Sequence, residues 1–121
     1  MRDKVRNMLI FFFFFEHGII CFMEMKYMNF GMENEIIEFK KSTSELNDGI
    51  ISLSSMLNKH GEGTLYFGIK NDGTVIGQKD ITESTLRDIS RCVSEGIKPQ
   101  VIPEISMELV NDKSIIKVSV K

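Results

Sequence analysis

Between Asn58 and Gln78 the chain reads Asn58-Lys59-His60-Gly61-Glu62-Gly63, then Thr64-Leu65-Tyr66-Phe67-Gly68-Ile69-Lys70, then Asn71-Asp72-Gly73, then Thr74-Val75-Ile76-Gly77-Gln78. A β-branched and aromatic run with a glycine loop in front and an Asp-Gly turn behind predicts loop, strand, tight turn, strand. Gly63, Gly68 and Gly77 lie within or beside those strands, where glycine is costly. Their positions predict that the backbone bends there or is approached closely, by a helix or a ligand.

With 121 residues, 42% hydrophobic and 26% charged, the chain has room for one domain and a modest core. From Met32 onward eleven Lys and Arg stand against fourteen Asp and Glu, a net of −3. A mildly acidic domain does not hold a polyanion by net charge, so any grip on nucleic acid has to come from a local patch. Cys21 and Cys92 lie 71 residues apart and match neither a disulfide framework nor a zinc site, which fits a reducing, cytoplasmic setting.

Residues 1–31 differ in composition from the rest. Arg2, Lys4 and Arg6 precede the apolar run Met8 to Phe15, which holds five consecutive phenylalanines, and a second apolar patch runs from Gly18 to Met23. A basic start before an apolar stretch is how signal sequences and anchors begin. Glu16 and His17 divide it, however, and each run falls short of the roughly 18 to 20 residues that cross a bilayer. The expectation is an extension outside the fold with no membrane role, with later starts on offer at Met23, Met25, Met28 and Met32.

The domain is expected over residues 32–121. Glu35 to Lys40 predicts a first strand, with Ile37 and Phe39 on one face and Glu38 and Lys40 on the other. Ser42 to Glu45 has capping-box spacing, and Leu46, Ile50, Leu53, Met56 and Leu57 follow as a helical stripe that Gly61 ends. After the hairpin, Asp80 to Glu83 repeats the cap spacing before a second stripe of Leu86, Ile89, Cys92 and Val93, which ends near Gly96. Gln100 to Val110 and Ser114 to Val120 predict two strands joined at Asn111-Asp112-Lys113, and Pro103 argues for an edge position or a bulge. The order β-α-β-β-α-β-β predicts an α/β (α+β) fold, a two-layer mixed sheet with the helices on one face. The final strand is expected to have an open edge, and so to invite a homo-oligomer.

Glu33, Glu35 and Glu38 surround the first strand and Asp72 sits at the hairpin turn. Converging carboxylates can hold a divalent metal that activates water for phosphodiester cleavage. The structural alternative is a solvated strand face for Glu38 and Lys40, with Asp72 supplying turn chemistry. The loop from Asn58 through Gly61 to Gly63 could turn backbone N–H groups toward a phosphate. It follows a helix C-terminus, though, and lacks the Lys-Ser or Lys-Thr ending of a P-loop. His60 reads as exposed loop surface with phosphate contact as the alternative. Lys40, Lys41, Lys59, Lys70, Arg87 and Arg91 are the cations from which a patch could form.

Several ordered motifs match a known family. Glu33 through the Glu38-Phe39-Lys40 ending, then Asn58, Gly61 and Gly63, then Leu65 to Ile69, then Asp72 to Gly77, resemble the Schlafen AlbA-like domain of bacterial and archaeal regulator-like proteins and of the vertebrate Schlafens. The resemblance spans essentially Met32 to Lys121. It implies a nucleic-acid-binding α/β module of a transcriptional-regulator type; from the residues themselves, the expected DNA or RNA contacts are Lys40, Lys41, Asn58, Lys59, His60 and Lys70. In the vertebrate relatives it implies a metal-dependent endoribonuclease, with Glu33 and Glu38 as metal-binding glutamates, a carboxylate near Asp72 as the third member, and Mg or Mn as the ion. The ATP-binding label carried by some bacterial relatives would fall on Gly61 and Gly63. The sequence departs from the family pattern where Lys70 and Asn71 follow the Gly68-Ile69 pair in place of an acid, and where Glu62 replaces a glycine.

Overall fold

The computed structural model describes residues 30–121, so the expectations for the segment before Phe30, including Cys21, lie outside the described residues. Its elements are β1 (Ile37–Lys40), a 3-10 turn (Thr43–Glu45), α1 (Leu46–His60), β2 (Gly63–Phe67), α2 (Glu83–Gly96), β3 (Glu104–Val110) and β4 (Lys113–Val120). They form one mixed sheet in the order β1-β2-β4-β3, with β1 parallel to β2 and the other pairs antiparallel. Both helices pack on one face, as expected.

The core follows from the two side-chain periods. Ile50, Leu53 and Met56 of α1 and Ile89 and Val93 of α2 meet Leu65, Phe67, Ile116, Val118 and Val120 of the sheet in one buried cluster. The intervening strand residues point the other way and build a second cluster from Phe39, Tyr66, Ile69, Val75, Val110 and Ile115. Phe30 closes that face. Its ring meets those of Phe39 and Tyr66 edge-on at 6.0 and 4.8 Å, and its N–H donates to the Gly73 carbonyl at 2.8 Å.

The helix ends obey local chemistry. Ser42 Oγ accepts from the Ser44 N–H, and Gly61, in the left-handed region at φ 77°, closes α1 by donating to the Leu57 carbonyl. At α2 the cap is Thr82, two residues beyond the expected Asp80. Thr82 Oγ1 accepts from the Thr85 N–H while Thr85 Oγ1 accepts from the Thr82 N–H, so two hydroxyls form the capping box.

Two strand expectations are corrected. Thr74 to Gln78 does not form a strand: Ile69 and Val75 make an isolated bridge, and the N–H groups of Ile76 and Gly77 both donate to the Gly68 carbonyl. Gly68 and Gly77 stand at φ 103° and 85°, so the arm curls back on itself instead of extending. The element order is therefore β-α-β-α-β-β. Likewise β4 is an interior strand, paired on both sides, because Gly63–Phe67 and Glu104–Val110 both take it as neighbour. The sheet edges are β1 and β3, and Pro103 sits just before edge strand β3.

The glycine at the start of β2 shows the close approach that its position predicted. A Cβ built on Gly63 would lie 2.8 Å from Met56 Cβ and 2.7 Å from Met56 Sδ, so α1 rests directly on the strand backbone there. The approaching group is a helix.

Candidate nucleic-acid interface

The residues singled out from the sequence fall into two groups at opposite ends of the sheet. In the first, β1 and β2 run parallel with Lys40 beside Phe67, and the Lys40 carbonyl accepts from both Gly68 N–H (2.8 Å) and Ile69 N–H (3.2 Å). That pair of hydrogen bonds holds Lys41 and Lys70 at the same end, and both are exposed. In the second, α1 runs back along the sheet and delivers Asn58, Lys59 and His60 to the opposite end, beside Asn34 and Glu35. The six binding candidates therefore do not form one patch.

Lys40 differs from its neighbours. It lies on the helix-bearing face at the β1 edge, with Nζ 3.0 Å from Glu38 Oε2. Burial on its own would pull its pKa down. The Glu38 hydrogen bond and charge, with Glu45 and Asp48 behind them, outweigh burial and hold the ammonium above the ordinary lysine value of 10.5. Its charge is thus balanced within the protein.

Three of the four acidic candidates have a task in the fold. Glu33 Oε2 accepts from the Phe39 N–H at 2.9 Å, on the outer edge of β1. Glu38 Oε2 accepts from Ser52 Oγ at 2.7 Å as well as from Lys40, tying β1 to α1. Asp72 Oδ1 accepts from the Thr74 N–H at 2.9 Å and so shapes the turn. The backbone hydrogen bond from Thr74, helped by Thr74's side chain and by Lys70, holds the Asp72 carboxyl below its ordinary value of 3.8. The reach of Glu33 back to Phe39 is a contact that strand alternation does not reveal, because the chain folds over at Asn34 to Ile36 before β1 begins.

Among the described residues, no group of three from His, Cys, Asp and Glu is placed to hold a metal ion. As arranged, Glu33, Glu38 and Asp72 do not fit a shared Mg or Mn. Gly61 and Gly63 are likewise engaged, one as the α1 cap and the other beneath Met56.

Between β1 and α1 lies an open cleft of about 390 Å³, walled by Glu35, Glu38, Ser52, Ser55, Lys59 and His60. Two acids face one lysine and one histidine across it, so it carries no single sign of charge. Among the described residues no helix is long and apolar enough to cross a membrane.

No curated protein matches the sequence significantly. Among solved structures, the N-terminal domain of an ATP-dependent DNA helicase RecG-related protein from Nitrosomonas europaea matches with 22% identity and a TM-score of 0.40. The match covers 69% of this chain and 61% of that one. The family model for Schlafen, AlbA_2 matches residues 33–121, which includes all four strands and both helices. The chain therefore belongs to the Schlafen AlbA_2 family.

Proposed function

We propose that the domain binds nucleic acid, with DNA as the first candidate, through phosphate contacts at the sheet end that carries Lys41 and Lys70. The observation that carries this reading is the shared Lys40 carbonyl, which ties the end of β1, next to exposed Lys41, to the start of the glycine-bent turn that carries exposed Lys70. Lys40 is a positioning residue here, because its own charge is balanced by Glu38. Family membership supports the same class of ligand. The engagement of Glu33, Glu38 and Asp72 in the fold's own hydrogen bonds supports binding over cleavage.

Two phosphate contacts give a modest, salt-dependent affinity, with log K falling by about 2 for each tenfold rise in salt. Titration of duplex DNA and of structured RNA by fluorescence anisotropy at several salt concentrations tests this. The Lys41→Ala, Lys70→Ala double variant is expected to remove most of the salt slope, while Lys59→Ala, at the opposite end, leaves it unchanged. Binding that ignores salt, or that survives the double variant, rejects the assignment. Incubating RNA with Mg or Mn adds an arm for hydrolysis: metal-dependent cleavage lost in Glu38→Ala would replace binding with catalysis as the function.

A further inference from the structure

The two edges of the sheet are treated differently. Along β1 the outward-facing groups are used locally: Ile37 exchanges hydrogen bonds with Asn34, and the Phe39 N–H is held by Glu33. Along β3 no such cover exists among the described residues, where its backbone partner is β4 alone. The hairpin phase says which residues face out. Asn111 and Asp112 form a two-residue loop with φ 54° and 65°, which makes Val110 and Lys113 a hydrogen-bonded pair. Every second residue then bonds to β4, and Ile105, Met107 and Leu109 turn their N–H and C=O groups outward. The Gln78 N–H bond to the Ser114 carbonyl, on the far side of β4, confirms this phase.

The side chains of those same three residues share the helix-bearing face, opposite Val118, Ile116 and Ser114. Met107 is 50% and Leu109 60% exposed. An edge with open backbone groups and uncovered apolar side chains is a template for another strand.

We propose that β3 pairs antiparallel with β3 of a second copy of this chain, centred on Met107. Outward residues must meet outward residues, which leaves three central registers. Centring on Ser106 sets Glu104 opposite Glu108, and centring on Glu108 sets two Glu108 carboxylates face to face. Like charges in those positions are unfavourable. Centring on Met107 pairs Ile105 with Leu109 and Met107 with itself on the apolar face, and Ser106 with Glu108 and Glu104 with Val110 on the other. No carboxylate opposes another. Of the three central registers only this one is self-complementary, and a second copy is the partner it fits.

With β1 capped, the pairing uses the one edge left open among the described residues and closes as a two-fold dimer instead of growing into a fibre. Three residues per chain supply about six inter-chain hydrogen bonds. The contact is small, so the dimer is expected to dissociate in a range on the order of 10–100 µM.

Sedimentation equilibrium on the full chain tests the proposal. Met107→Lys, at a half-exposed outward position, is expected to weaken the dimer at least about tenfold. Ser106→Lys sets a lysine against the partner's Glu108 and is expected to tighten it roughly threefold to tenfold, whereas Ser106→Glu loosens it by a similar factor. A monomer up to about 1 mM overturns the proposal, on the scale expected of standard interfaces. So does a dimer that Met107→Lys leaves intact. Weakening by Ser106→Lys would select the Ser106-centred register and overturn the one proposed. Slow hydrogen exchange at Ile105, Met107 and Leu109 in a monomer would show residues 1–29 seated on the edge, and would also refute it.

Discussion

Replacing Gly63 by Ala sets two opposing effects against each other. Alanine in a strand interior gains roughly 0.5–1 kcal/mol over glycine through lower chain entropy. Against that, the new methyl would lie 2.8 Å from Met56 Cβ and 2.7 Å from Met56 Sδ. The sulfur can swing away, but the Cβ is fixed to the α1 backbone, so the last turns of the helix have to lift from β2. Overpacking of this kind costs about 1–3 kcal/mol, with rigid partners at the upper end. The net expectation is a loss of about 1–2 kcal/mol, equivalent to a fall in Tm of roughly 5–15 °C for a domain of this size.

Urea denaturation followed by circular dichroism measures it, and a double-mutant comparison identifies the cause. Met56→Ala keeps its Cβ, so it should relieve Gly63→Ala little, with a coupling energy under about 0.5 kcal/mol. Gly49→Ala in α1 is the contrast, because its overlap is with the Cδ atoms of Leu65, the nearest at 2.6 Å. Leu65→Ala removes those atoms and should couple to Gly49→Ala by about 1 kcal/mol or more. A neutral Gly63→Ala, or a Met56 coupling as large as that of Leu65, would refute the account of a helix resting on strand backbone.

Other perturbations read other parts of the fold. Asp112→Gly, at φ 65° in the β3–β4 turn, is expected to raise stability by about 0.5–1 kcal/mol in the same denaturation assay, because glycine occupies that region without steric cost. Thr82→Ala removes the oxygen that accepts from the Thr85 N–H and should cost about 1 kcal/mol. The Lys40 pKa is raised, so its contribution to stability is whole below pH 10.5 and is lost as pH climbs through the folded-state value; Lys40→Met should flatten that alkaline limb. The Asp72 pKa is lowered, so its contribution is present above pH 3.8 and fades as pH drops through the folded-state value; Asp72→Asn should flatten the acid limb of the denaturation midpoint plotted against pH.

What could be read in advance was whatever depends on neighbours in sequence. Ile50, Leu53 and Met56 announce a buried helical face by spacing, and Gly61 ends the helix because only a short-range bond to Leu57 is involved. The β3–β4 turn at Asn111-Asp112 is local in the same sense. The interior place of β4 is not, since it depends on Gly63–Phe67 finding Ile116–Val120 across more than forty intervening residues. The curled Thr74–Gln78 arm reads as a strand in the sequence because a β-branched pair, Thr74-Val75, looks extended, while the competing bonds to the Gly68 carbonyl are visible only in three dimensions. At the candidate site the residue types were legible and their separation was not. Alternation places Glu38 and Lys40 together, but nothing local says that α1 carries Lys59 and His60 to the opposite end.

The aromatic lid on the second face bears on which initiation codon yields a sound protein. A product begun at Met25 or Met28 keeps Phe30, and with it the edge-on rings over Phe39 and Tyr66 and the strap to Gly73. One begun at Met32 loses all of these and bares two aromatic rings to water. Translation from the later codon would yield a stickier, less stable polypeptide, although all the strands and helices of the described residues would still be encoded.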